Sequence, residues 1–182
     1  MSAIKMGALH VVSVLERLDL VAPCVADVLK KISNADQIGV AEIDPTLSDT
    51  AAFCERYQVP LEKAANCVVI EARRAERRWF AACVILGSTR ADVNGVARKF
   101  LDARRASFAP MEEAVALTGM EYGAITPVGV PPEWPILVDS EVAASDLVVV
   151  GSGVRRSKLV ISGAALAALP NSTVFENLGR SG

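Results

Sequence analysis

The chain is poor in the residues on which most hydrolytic metal chemistry relies. Its one histidine, His10, sits in an apolar helical pattern with no ligand-like neighbour, and reads as structural or partly exposed. The four cysteines, Cys24, Cys54, Cys67 and Cys83, stand apart in apolar settings without the short C-x-x-C spacing that a zinc site wants. They read as buried thiols, so neither a metal nor a cofactor is expected. Long apolar runs are missing as well: Ile4 to Val14 is broken by Lys5 and His10, and nothing approaches the ~20 residues of a spanning helix. The expectation is a soluble, cytoplasmic protein without a membrane partner.

What is present suffices for one domain. With 182 residues and 52% hydrophobic content, the chain can bury a proper core but not comfortably two. Net charge is −2, which would argue against a nucleic-acid partner if it were spread evenly. It is not. Residues 1 to 66 hold nine acids and six bases, whereas residues 71 to 105 hold nine bases against four acids. That middle stretch reads either as a solvated hairpin tip plus the polar face of a helix, or as an RNA-facing patch. Arg155, Arg156 and Lys158 form a second, smaller basic cluster.

In chain order, Gly7 to Leu20 has apolar residues at helical spacing, and Pro23 starts a second helix through about Ile32. Residues 1–47 are expected to be a helical extension packed on a core formed by residues 48–182. A weak strand at Ile38 to Ile43 is closed by Asp44-Pro45, after which Ser48 or Asp49 caps a helix to about Tyr57. Asn66 to Glu71 and Trp79 to Leu86 read as a hairpin with a charged tip. Thr89 to Asp92 looks like a capping box leading a helix through Leu101; Ala106 to Ala109 is a short strand, and Pro110 opens the next helix. Strands at Ile136 to Val138, Leu147 to Val150 and Lys158 to Ile161 follow, then a helix at Ala164 to Leu169 and a closing strand near Val174 to Glu176.

The most unusual stretch is Thr118 to Gly129, TGMEYGAITPVG, with three glycines and one proline in twelve residues. It serves either as a helix stop and tight turn, or as a place where a backbone approaches a ligand and its N–H groups hold an oxyanion or phosphate. Together with what surrounds it, the stretch resembles the YbaK family of aminoacyl-tRNA deacylases, relatives of the editing domain of bacterial prolyl-tRNA synthetase. The family pattern T-G-x-x-x-G-x-x-[ST]-P-x-G is matched by Thr118, Gly119, Gly123, Thr126, Pro127 and Gly129. Asp139 matches an aspartate beyond the next strand, and Gly151-Ser152-Gly153 a later glycine-containing loop. The resemblance covers about residues 48 to 178. It implies an α+β single domain with a mixed, curved β-sheet flanked by helices.

The resemblance also implies a chemistry. An aminoacyl-tRNA ester is already reactive, so its hydrolysis asks for a held carbonyl, a stabilised oxyanion and admitted water. The implied partner is the aminoacylated 3′ end of tRNA, with room for an aminoacyl-tRNA synthetase as a second. Backbone donors around Gly123 would serve the oxyanion, and Asp139 would accept from the substrate amino group, when it is not simply the N-cap of a short helix. Ser152 would contact the ribose or the amino acid, while Met120 and Tyr122 would line the pocket. One position departs from the family: its lysine at the start of the strand after the first helix is Asn66 here. Lys63, three residues earlier, replaces it only if residues 61 to 65 are irregular, because an extended chain sends it to the opposite face. Asn66 leaves open a deacylase with altered recognition, a slow one, or a non-catalytic aminoacyl-tRNA-binding paralogue. A third reading makes the N-terminal helices a partner-docking surface.

Overall fold

The computed structural model describes residues 4–181. The helix expected at Gly7 to Leu20 does not form. Val12–Ser13 is a strand, β1, and only single 3-10 turns follow at Val14–Glu16 and Leu18–Leu20. The apolar spacing is satisfied all the same, because Val14 and Leu20 are buried while Val12 pairs across to Val40. Tertiary pairing overrides a helical period of this length. The expected second helix is α1 (Pro23–Leu29), with proline in its first turn.

β2 (Gly39–Glu42) precedes α2 (Thr50–Tyr57), whose first free N–H groups, those of Ala51 and Ala52, donate to the Asp49 carboxylate. The hairpin is longer than its apolar runs suggested: β3 (Ala65–Arg74) and β4 (Arg77–Leu86) pair over ten residues each and reverse through Ala75-Glu76. Most of the charged segment is therefore strand. Thr89–Ala91 is β5 rather than the start of a helix, and Asp92 alone does the capping, accepting from Gly95 and Val96 N–H over a π turn that continues into α3 (Arg98–Phe100). β6 (Arg105–Phe108) leads to α4 (Met111–Thr118), which ends at Gly119. β7 (Ile136–Asp139), α5 (Ser140–Ala143), β8 (Val148–Gly151), β9 (Ser157–Ile161), α6 (Gly163–Ala167), β10 (Ser172–Phe175) and β11 (Gly179–Ser181) complete the chain.

The strands form two principal sheets and a ribbon. One is antiparallel, β1-β2-β9-β8; the other is mixed, β10-β7-β4-β3-β6, with β10, β7 and β4 parallel; β5 and β11 make the ribbon. Among the described residues an isolated bridge, Ala64 to Val149, links the two sheets, which also share the main apolar cluster, so the curved sheet that was expected is built as a pair meeting along that seam. The α+β class stands. The N-terminal region is no helical appendage, since β1 and β2 belong to the first sheet, and Val25 and Leu29 of α1 are fully buried in the main apolar cluster with Val128 and Leu159. Each such side chain contributes about 1.5 to 3 kcal/mol on burial. Among the described residues no helix is long and apolar enough to cross a membrane.

Candidate active site

A cavity of about 350 Å3 opens where the two sheets meet. Both sheets contribute to it. β3 supplies its wall from Ala65 to Val69, the first sheet supplies Gly151 and Lys158, the loop after α4 supplies Gly123 and Ile125, and the start of α2 supplies Ser48 to Thr50. Phe108, Met111 and Tyr122 stand at its rim, each about half exposed.

Asn66 is held in a defined orientation. The Thr50 hydroxyl donates to its Oδ1 at 2.7 Å, which leaves the Nδ2 amide as a donor with no partner among the described residues. The neighbouring Cys67 also lines the cavity, but burial pushes its thiol well above the ordinary value, so it stays protonated and is no nucleophile at neutral pH.

The cation of the cavity comes from a residue that sequence reasoning placed only in a basic cluster. Lys158, 8% exposed, donates from Nζ to the Ser48 carbonyl at 3.1 Å and lies 5.4 Å from the centre of the Phe53 ring. No carboxylate lies within ion-pair distance of it among the described residues. Burial is the main cause that lowers its pKa below the ordinary 10.5; Arg155 pushes the same way, while Asp49 and Cys54 oppose. A signal was present in the sequence: lysine stands at an alternate, inward position of the run Ser157–Ile161, on the same face as fully buried Val160.

Gly123 and Gly151 line the cavity where backbone segments approach closely. Gly151 lies under the loop after α4: a Cβ there would fall 2.4 Å from the Ala124 carbonyl oxygen. Two bonds fasten that loop, Gly153 N–H to Ala124 O at 2.8 Å and Glu121 N–H to Gly153 O at 2.9 Å. Gly123 has φ of 77°, and a side chain would meet the Ser48 hydroxyl at 3.3 Å. Arg155 ties the loop from outside, donating to the Tyr122 and Pro45 carbonyls.

The remaining residues of the motif support the site from behind and do not line it. Thr118 donates to Ala114 O and accepts from Met120 N–H, finishing α4 ahead of Gly119. Thr126, fully buried with an unpartnered hydroxyl, and buried Pro127 hold the turn, while Gly129 lies against the backbone of Cys24 and Gly153 against Ala22. Ser152 is also internal, its hydroxyl bonded to the Val154 and Ser157 carbonyls and to the Ser157 hydroxyl. Met120 is core. Asp139 needs the clearest correction: it is 3% exposed, caps α5 through Glu141 N–H and accepts from Gly179 N–H at 2.8 Å, away from the cavity. With both oxygens engaged, it is a clasp between β7 and the C-terminal ribbon rather than a receptor for an amino group.

Comparison with known proteins agrees with this architecture. A protein assigned as a candidate trans-editing enzyme for prolyl-tRNA synthetase superposes with a TM-score of 0.73 at 18% identity, over 88% of this chain and 99% of its own. A scaffold used in computational design for the presentation of linear epitopes gives 0.74 at 19% identity, covering 88% and 97%. A hypothetical protein gives 0.69 at 21%, covering 78% and 90%. No curated protein matches the sequence. The aminoacyl-tRNA editing domain family matches residues 44–169, through α2, the cavity wall, the glycine-rich loop and Lys158, and the chain belongs to that family.

Proposed function

We propose that the cavity hydrolyses the ester of a mischarged aminoacyl-tRNA, as a trans-editing deacylase. Lys158 is the observation that carries the reading, because it brings a buried, unpaired cation to a wall whose family lysine is Asn66. The substrate carbonyl lies between the Lys158 ammonium and the Asn66 amide, with backbone donors of the Gly123 loop beside it. Water adds to the carbonyl carbon, charge develops on its oxygen, and the bond to the ribose oxygen breaks, releasing the amino acid and a ribose hydroxyl. A charge-assisted donor contributes most where that charge appears. The ribose hydroxyl next to the ester serves the proton transfers, since the cavity has no histidine and its one carboxylate, Asp49, is engaged as a helix cap.

Small apolar residues, Ala65, Val68, Val69 and Ala114, bound the space for the amino-acid side chain, which fits a modest substrate such as alanine, cysteine or serine. The test is ester loss from a panel of tRNAs mischarged with Ala, Cys, Ser, Thr and Pro. Rapid loss of at least one species supports the reading. The second reading, a binding paralogue, is favoured by the lack of a free general base, and saturable binding without ester loss would select it.

A further inference from the structure

Resting on that reading, we propose that the unpaired 3′ strand of the tRNA leaves the cavity over Phe108 and runs along the edge strand β6 into an arginine-lined groove. The groove, of about 500 Å3, adjoins the cavity and shares Phe108 with it. Arg73, Arg98, Arg104 and Arg105 line it, with Glu71 its one acid.

Like charge is concentrated here beyond what the fold needs. Arg78, Arg73 and Arg105 are cross-strand partners on β4, β3 and β6, so three arginines stand abreast on one face. Like charges directly opposite one another destabilise a sheet. Glu71, buried two pairs further along on the same face, engages Arg78 and Arg73, and Arg78 also binds Glu113. Arg104 and Arg105 receive no carboxylate among the described residues. An edge strand is guarded by a single charge, whereas this row continues inward to the centre of the sheet. An extended polyanion neutralises it.

The apolar end of the same strand selects a nucleic acid over other polyanions. Phe108 is 58% exposed at the end of β6, and Tyr122, 57% exposed, stands at the same cavity rim. Exposed rings beside a basic track are stacking platforms for unpaired bases. Phe108 and Arg105, about 10 Å apart, point to opposite faces of β6 yet both line the groove, which crosses this edge of the sheet, so a strand that follows the groove sets a base on the ring and the phosphates behind it on the arginines.

The test is binding of a 5′-labelled RNA hairpin with an unpaired 3′ CCA tail, read by fluorescence anisotropy over a range of salt concentrations, with the tailless hairpin as comparison. The probe carries no aminoacyl ester, so the result does not depend on ester hydrolysis. Phe108→Ala should weaken binding of the tailed hairpin about tenfold, with Phe108→Trp restoring it. Arg104→Ala with Arg105→Ala should weaken it about tenfold and flatten the slope of log affinity against log salt by about 0.7 for each lost phosphate contact. Circular dichroism confirms that the variants fold. Wild-type affinity in folded variants, equal affinity for the tailless hairpin, or no wild-type binding overturns the track. A silent deacylation panel with intact, tail-dependent binding would instead overturn the hydrolytic reading alone.

Discussion

Lys158 stands directly across from Gly151 in the β8–β9 register, and both line the cavity that Asn66 lines from the other sheet. The Ala64 to Val149 bridge between the sheets lies two residues from Asn66 and two from Gly151, and the register brings Lys158 to the same place. The cavity thus takes its lysine from β9, while β3 presents Asn66. Burying an ammonium against one carbonyl and an aromatic ring costs stability, and an editing site has a use for the charge.

The pH dependence of Lys158 follows from its lowered pKa. Turnover that needs the ammonium should fall on the alkaline side below the ordinary 10.5, after subtraction of uncatalysed ester loss. Lys158→Arg, which keeps its charge, should move that limb upward if it folds and turns over. For stability, the unfolded chain holds this proton more tightly than the folded one, so the fold gains stability as pH rises toward 10.5. Lys158→Met should therefore be more stable than wild type at pH 7. Urea midpoints of the two proteins check the second statement, and an unchanged or lower midpoint contradicts it.

Asp139 gives a prediction of the opposite kind. Asp139→Ala removes a helix cap worth ~1 kcal/mol and leaves the part-buried Gly179 N–H without its acceptor, for a combined loss of about 2 to 3 kcal/mol. Once assayed well below its melting temperature, the variant should hydrolyse ester at nearly the wild-type rate. A rate loss of a hundredfold in folded protein would return Asp139 to the chemistry.

Glu71 links the sheet to its arginines. Chiefly Arg78, then Arg73, holds its carboxyl down to about 2 from the ordinary 4.5. A depressed carboxylate stabilises the fold fully above its unfolded value, and that stability is lost as pH falls from about 4.5 through about 2. Glu71→Gln should lower stability at pH 7 by about 1 to 3 kcal/mol, since Arg78 is partly solvated. Below pH 4.5 the gap to wild type should narrow, and a constant gap down to pH 2 would remove this pair as its cause.

Thr126 carries the one buried side-chain hydroxyl without a partner among the described residues. Thr126→Val keeps the shape and removes an unsatisfied group, so thermal stability should rise by the equivalent of about 1 kcal/mol, with turnover unchanged. A drop in turnover at preserved stability would show that the hydroxyl serves substrate.

Local signals in the sequence were legible wherever local chemistry decides the structure. Asp49 caps α2, the Val- and Ile-rich runs form the β3–β4 hairpin, and Gly119 ends α4. Gly7 to Leu20 was misread because its apolar period is met by pairing with β2, a contact that spacing cannot reveal. The glycine-rich loop was recognised as special, yet which members face the cavity depends on packing against α1 and β8: Gly123 faces in, whereas Gly129 backs onto Cys24. Lys158 escaped for the same reason. Asn66 lies in the other sheet, and only the packing of the two sheets brings both residues to one cavity.

The most direct test of the central claim is single-turnover ester loss from the mischarged tRNA that wild type clears fastest, compared with Lys158→Met. The account predicts that the folded variant still binds this tRNA but loses hydrolysis by about a hundredfold or more, the effect of removing one oxyanion donor. Wild-type rates in folded Lys158→Met would contradict it and leave the buried lysine a structural residue.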